Sequence, residues 1–325
     1  MITGLVLACT PAIDRTAFKH PATGRALSGL PPLLSLMRPR QWYKNLVVFI
    51  PLLFSGNASS TALWAPILVC FAAFCALSSS VYAANDVVDA DRDRLHPRKK
   101  ERPIASGKVS PATGGALSLL LALAALAALW WLGPLALVLG TAYLLLQVLY
   151  NGLLKRLVLW DALAIAVGFV VRALAGSAAI DVPSTEWLIV CTFLFALYLA
   201  FAKRRHELLL AQDDPRALES RPILGAYTVP FIEQSMQTSA TLLLMAYSLY
   251  TFFGTDSWMM FTIPFAIYGV FRFSWLVHRR DLGDEAEMVF RDRATLANAI
   301  LWLATIVAVK AGWPQAAYEW LHALG

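Results

Sequence analysis

The sequence predicts an all-α polytopic membrane protein with about nine transmembrane helices. Three observations lead there: a composition too apolar for water, a set of separable apolar spans, and basic residues confined to alternate loops. The 325 residues are 58% hydrophobic and 15% charged, with mean hydropathy +0.60, whereas a soluble domain carries about 25% charge. A bilayer is the natural solvent for that much apolar surface. The net charge of +6 is explained by its distribution along the chain, so it gives no reason to expect nucleic acid as a partner.

The apolar pattern places spans at about 44–56, 62–86, 112–132, 135–153, 158–179, 186–203, 232–253, 258–277 and 294–312. The first is short for a hydrocarbon core of roughly 30 Å, unless it begins earlier, tilts, or continues from Pro39–Lys44. Gly133-Pro134 marks a tight turn between two helices, and Asp181–Glu186, with Pro183, marks another. Residues 1–35 read as an N-terminal cytoplasmic tail and 36–325 as one transmembrane domain. Met1–Thr10 is apolar and ends near Val6-Leu7-Ala8-Cys9, but no basic segment precedes it and the run is short for a cleaved signal. Cys70, Cys75 and Cys191 fall inside spans, at spacings that suit small buried hydrophobes better than a zinc site or a disulfide framework.

Of 27 Lys and Arg, all but Arg172, Arg272 and Lys310 lie in the N-terminal segment or in the loops at 87–111, 154–157, 203–231 and 278–293. The alternate loops at 57–61, 133–134, 180–185 and 254–257 have none. This positive-inside pattern puts the N-terminus and the basic loops in the cytoplasm and the C-terminus outside.

The chemistry concentrates at the cytoplasmic end of the second span. Tyr82, Asn85, Asp86, Asp89 and Asp93 fall at i, i+3, i+4, i+7 and i+11, one face of a helix, while Asp91 points elsewhere. Three carboxylates and an amide oxygen form a hard oxygen cluster suited to Mg²⁺, which binds one or two carboxylates together with phosphate oxygens. The bland alternative is a solvated helix end whose acids pair with neighbouring arginines. Arg98, Lys99, Lys100 and Arg102 follow at once. Positive-inside anchoring accounts for some of these cations, but acids and bases crowded at one spot suit a Mg²⁺–diphosphate better. Ser106-Gly107 and Ser110-Pro111 read as a turn and the cap of the third span.

Other groups face the same end. Arg38-Pro-Arg-Gln-Trp-Tyr-Lys44-Asn45 opens the first span, where Trp42 and Tyr43 fit an interfacial belt and Lys44 either snorkels or contacts phosphate. Tyr150 and Lys155 close the fourth span and Asp161 starts the fifth. Arg172, near the middle of the fifth, marks an anion site by its cost, unless it pairs structurally with Asp161 three turns away. Lys203-Arg204-Arg205-His206-Glu207 ends the sixth span, as a simple stop signal or as a phosphate clamp. Arg272 is ambiguous, and Glu285, Glu287, Arg291, Asp292 and Arg293 form either a lid or a surface salt-bridge cluster.

These residues resemble the UbiA-type membrane prenyltransferase superfamily, whose first motif, Asn-Asp-x-x-Asp-x-x-x-Asp, stands intact at 85–93. The resemblance runs from about Arg38 to Trp313 and implies helices around a central cavity open to the cytoplasm. One departure is informative. The family commonly carries a second Asp-x-x-x-Asp motif at the end of the sixth span, where this chain has Lys203-Arg-Arg-His-Glu207. With His96-Pro97, Arg102-Pro-Ile-Ala105 and Tyr150…Lys155…Asp161, that substitution is similar to the decaprenyl-phosphate phosphoribosyltransferase branch.

The resemblance implies transfer of 5-phosphoribose from phosphoribosyl pyrophosphate to a polyprenyl phosphate, with Mg²⁺ as cofactor. It makes Asn85 and Asp89 the foremost metal ligands, supported by Asp86 and Asp93, and gives Asp86, Asp89 and Asp93 the leaving group. It assigns the ribosyl donor to Lys44, Tyr82, Lys99, Lys155 and Arg172, with Arg102 and Arg205 among the substrate-binding cations, and the lipid phosphate to Lys155, Arg172, Lys203 and Arg204. The rival readings are prenyl transfer to an aromatic or lipid acceptor, and a transporter or lipid-binding protein, against which the absence of a visible inverted repeat argues. A homo-oligomer is compatible with all of them.

Overall fold

The structure is a computed structural model and describes residues 30–95, 99–213, 222–254, 256–280 and 292–323. Those residues form helices and no strand. In chain order they are α1 (Pro32–Met37), a 3₁₀ helix (Pro39–Phe49), α2 (Ile50–Phe54), α3 (Thr61–Val88), α4 (Ala90–Leu95), α5 (Pro111–Leu132), α6 (Pro134–Gly152), α7 (Trp160–Ala179), α8 (Glu186–Asp213), α9 (Val229–Phe253), α10 (Ile263–Arg280), α11 (Arg293–Lys310) and α12 (Trp313–Ala323). Short 3₁₀ turns lie at Lys99–Glu101, Leu154–Arg156, Pro222–Ala226 and Ser257–Thr262. His96, Pro97, Arg98, Glu285, Glu287, Arg291 and most of the N-terminal tail lie outside the described residues.

Among the described residues, seven segments have the length and apolarity to cross a bilayer: Thr61–Val88, Pro111–Leu132, Pro134–Arg156, Trp160–Ala179, Glu186–Ala211, Ser257–His278 and Arg293–Lys310. Two more of the expected spans are helical but differ in kind. Helix α9 is 25 residues long, with Glu233, Gln234 and Gln237 in its first half. The expected first span is built from the 3₁₀ helix and α2. A 3₁₀ helix rises about 2.0 Å per residue against about 1.5 Å for α. Eleven 3₁₀ residues and five α residues therefore reach about 30 Å, the thickness of a hydrocarbon core. The segment expected at 44–56 gains its reach by beginning at Pro39, one of the expected alternatives, and by its 3₁₀ winding.

Local chemistry sets the boundaries. Ser110 accepts from the Thr113 N–H at 3.0 Å and Pro111 follows as the first residue of α5. Thr228 and Asp292 cap α9 and α11 in the same way. Gly133, at φ +134°, separates α5 from α6, and Pro134 opens the second of the pair.

Helices α3 and α7 are the buried pair. Much of the buried face of α7 is Ala and Gly, so neighbouring helices approach closely. Gly176 shows how closely: a Cβ there would sit 2.1 Å from the Val48 carbonyl oxygen. One apolar core joins the first segment, α3, α5, α6 and α7; a second joins α7 to α8, α9 and α10. Helices α5 and α6 turn Leu119, Leu120, Leu123, Trp130, Trp131 and Leu145 outward, as lipid-facing helices must.

Candidate active site

The acidic motif lies where two helices meet. Helix α3 ends at Val88, and Asp89 caps it with φ −91° and ψ 2°. Asp93 belongs to the separate short helix α4. The single uninterrupted helix face expected over 82–93 is therefore broken at Asp89, although the Asp93 N–H still donates to the Asp89 carbonyl at 2.9 Å.

Two arginines enter this cluster from different parts of the chain. Arg38, in the left-handed conformation between α1 and the 3₁₀ helix (φ 52°), donates from Nη2 to Asp86 Oδ1 at 2.6 Å, and its guanidinium lies 4.9 Å from the Tyr82 ring centre. Arg102 donates from Nη1 to Asp86 Oδ1 at 3.1 Å and to Asp93 Oδ2 at 2.6 Å. Asp86 and Asp93 are buried beneath these guanidiniums. Asn85 and Asp89 are half-buried, and their side chains have no hydrogen bond or ion pair among the described residues. Among the described residues no group of three or more His, Cys, Asp or Glu is arranged to hold a metal. One amide oxygen and one open carboxylate nonetheless fit Mg²⁺ that brings phosphate oxygens with it. Lys99 stands half-buried at the 3₁₀ turn beside Arg102.

A second cluster lies deeper on the same face of α3. Ser78, Tyr82 and Asp86 are one helical step of four apart, so the two clusters are about 12 Å from end to end. Ser78 donates to Asn45 Oδ1 at 3.3 Å, and Arg172 reaches the same oxygen through Nε at 2.8 Å. Its Nη1 donates to the Gly168 carbonyl at 2.9 Å and its Nη2 to Tyr143 Oη at 2.8 Å. The guanidinium also stacks 4.5 Å from the Tyr143 ring and 5.3 Å from the Phe169 ring. Every described partner of this buried cation is neutral. Lys44, three residues beyond Gln41 on the 3₁₀ helix, bonds that residue and faces the Tyr43 ring at 5.8 Å.

The alternative pairing of Arg172 with Asp161 is not found. Asp161 is fully buried and accepts from Arg204 Nε at 2.6 Å and from Tyr227 Oη at 2.7 Å. Arg204 is also bonded to Glu207 through Nη1. Tyr227 Oη in turn accepts from the Leu159 N–H at 2.7 Å, holding Leu159 at φ 67° and ψ −40°. Burial, followed by the Asp161 hydrogen bond, pushes the Tyr227 hydroxyl up to about 12, so it remains a donor to that carboxylate. Half of the basic motif on α8 is thus occupied: Arg204 in this network, and Arg205 with Glu233 at 2.8 Å. Lys203 and Lys155 are half-buried; Lys155 lies on the Leu154–Arg156 turn that leads into Leu159.

Arg272 is resolved as a structural residue. It donates to both carboxylate oxygens of Asp292, at 3.1 and 2.9 Å, and stacks 4.6 Å from Trp275. Hydrogen bonds from Arg272 and Thr295 hold the Asp292 carboxyl well below the usual carboxylate range. The sequence reading named neither Arg38 as a partner of the motif nor Tyr227 at all; both are joined to their partners across 48 and 66 residues, which no local spacing signals.

The profile of the UbiA prenyltransferase family matches residues 46–299. A decaprenyl-phosphate phosphoribosyltransferase of Mycolicibacterium smegmatis is 32% identical over 306 residues, covering 89% of this chain and 95% of that protein. Its namesake in Corynebacterium glutamicum is 30% identical over 287 residues, covering 85% of each. Among solved structures, a UbiA homologue from Archaeoglobus fulgidus bound to GPP and Mg²⁺ superposes with a TM-score of 0.67 at 14% identity, over 86% of this chain and 99% of that one. The broken acidic motif, the buried α3–α7 pair and these matches agree: the chain is an integral membrane transferase and belongs to the UbiA prenyltransferase family.

Proposed function

We propose that the protein transfers 5-phosphoribose from phosphoribosyl pyrophosphate to a polyprenyl phosphate, decaprenyl phosphate being the acceptor that its relatives' names suggest, at a site facing the cytoplasm. The observation that carries this reading is the Lys203-Arg-Arg-His-Glu207 stretch of α8, just past its apolar part, where prenyl transfer would call for a second carboxylate pair. In the reaction the bond between ribose C1 and the pyrophosphate oxygen breaks, a bond from C1 to an oxygen of the lipid phosphate forms, and pyrophosphate leaves. A lipid phosphate is already ionised at neutral pH, so no general base is required.

When bound, Mg²⁺ stabilises the charge that gathers on the departing diphosphate. Asn85 and Asp89 hold it, and Tyr82, Lys99, Arg102 and Lys44 line the donor's path. Arg172 offers a desolvated positive charge at the inner end of the same face, where the donor's 5-phosphate fits. Lys155 and Lys203 serve the lipid phosphate and screen it from the donor. Arg204 contributes from beneath, by fixing the turn that carries Lys155.

Purified protein given labelled phosphoribosyl pyrophosphate, Mg²⁺ and polyprenyl phosphate should yield a lipid-linked ribose phosphate and pyrophosphate. Asp89→Asn and Lys203→Ala should each lower turnover by about a hundredfold, as expected where charges act on a transition state. Full turnover in either variant would remove that residue from its role. Consumption of a prenyl diphosphate, with the ribosyl donor left intact, would favour prenyl transfer instead.

A further inference from the structure

The four oxygen-bearing residues of the motif are not equivalent. Asp86 and Asp93 are 2% and 3% exposed. One oxygen of each already faces guanidiniums, Asp86 Oδ1 taking both Arg38 and Arg102, and Asp93 Oδ2 taking Arg102. The arginines themselves keep 31% and 27% of their side-chain surface exposed. A cation taking Asp86 Oδ1 would have to displace two guanidiniums, and one taking Asp93 Oδ2 would have to displace Arg102. An anion arriving from outside meets the guanidiniums first. Arginine forks bind phosphate oxygens best when they are held in a fixed plane. A buried carboxylate behind each fork supplies that hold, and the Tyr82 ring under Arg38 adds a second wall.

We infer that Asp86 and Asp93 are arginine-positioning residues: they present Arg38 and Arg102 to the diphosphate, and they do not ligate the metal. This rests on the proposed Mg²⁺–diphosphate reading of the site. It divides the motif between two tasks. Asn85 and Asp89 face the cation, and Asp86 and Asp93 stand behind the arginines that face the anion. Charge agrees with this division, because two carboxylates and two guanidiniums cancel. Asp89 is then left to attract the cation, and phosphate oxygens tighten a hold that Asn85 and Asp89 begin.

Two separate binding measurements test it on the full-length protein in detergent. One is Mn²⁺ binding followed by electron paramagnetic resonance without phosphate ligands; the other is binding of labelled inorganic pyrophosphate without metal. Asp89→Asn should weaken Mn²⁺ binding by about tenfold or more and leave pyrophosphate binding intact. Asp86→Asn and Asp93→Asn should do the reverse: Mn²⁺ affinity within about threefold of wild type, and pyrophosphate affinity down by about tenfold, the scale of one displaced charge-assisted contact. Arg102→Lys, which keeps the charge and loses the fork, should reproduce the pyrophosphate defect. Equal loss of Mn²⁺ binding in all three carboxamide variants would overturn the division and leave the metal reading standing. Failure of the wild type to bind Mn²⁺ at all would overturn both, and unchanged pyrophosphate affinity in Asp86→Asn and Arg102→Lys would overturn the arginine role alone.

Discussion

Arg172 is a cation held in the middle of a membrane helix by an amide, a phenol and a backbone carbonyl. A charge in that setting is costly unless it is paired, and neutral acceptors satisfy its hydrogen bonds while leaving its charge available to an anion. Replacing Asn45 by Asp separates the two effects. The new carboxylate would stand where Asn45 Oδ1 now stands, pair with Arg172 and neutralise it. The unfolding midpoint in detergent should stay level or rise, while turnover falls by about tenfold or more, the exchange of function for stability expected at a strained functional charge. A variant with undiminished turnover would mean that Arg172 serves the fold alone. The cost of a buried charge made this residue conspicuous in the sequence. Its partners were not legible, because Asn45 and Tyr143 lie 127 and 29 residues away.

At the scale of elements, the network Glu207–Arg204–Asp161–Tyr227–Leu159 ties α8, α7 and the approach to α9 to the turn that carries Lys155. Leu159 sits at a positive φ that a residue with a Cβ adopts only under constraint, and the Tyr227 hydroxyl supplies part of that constraint. Tyr227→Phe removes a donor from a buried carboxylate and an acceptor from a strained N–H, so it should destabilise by about 1–3 kcal/mol. The pH dependence has a definite sign. The folded state raises the tyrosine from its ordinary value of 10.0 to about 12. Its contribution is therefore present in full below about 10 and is lost as pH climbs toward 12. The stability gap between wild type and Tyr227→Phe, measured by thermal unfolding at pH 8 and at pH 11.5, should narrow. A gap that widens would contradict the assignment. Element boundaries were largely legible: residues 112–132 were expected and Pro111–Leu132 is found, 158–179 and Trp160–Ala179. The exceptions are physical. Helix α8 continues ten residues past its apolar stretch because Arg204 finds the buried Asp161 and Arg205 the half-exposed Glu233, and the first segment changes its winding. Neither outcome is written in periodicity.

At the scale of the whole molecule, charge and burial divide the protein into ends. The acidic motif, the Lys155 turn and the α8 cations all belong to the end where basic loops gather. The opposite end has loops without Lys or Arg and closes with α12, whose Trp313, Tyr318 and Trp320 are exposed, as in an aromatic belt at an interface. Orientation can be measured directly. In a protein freed of its own cysteines, a cysteine at exposed Ser106 should react with a membrane-impermeant maleimide only after cells are opened. One at exposed Ser184 should react in intact cells. The reverse pattern would turn the proposed site to the other side of the membrane.

Gly176 carries a consequence out of proportion to its size. It lies one helical turn beyond Arg172 on α7, and Val48, whose carbonyl it touches, lies one 3₁₀ turn beyond Asn45. The two contacts form a pair of rungs between the same two helices. The missing side chain therefore works as a spacing gauge: it sets the gap at one rung and so the reach of Arg172 at the other. Gly176→Ala would drive a wedge between the rungs, and Arg172 would lose the setting in which it is proposed to meet an anion, through a residue that no substrate need touch.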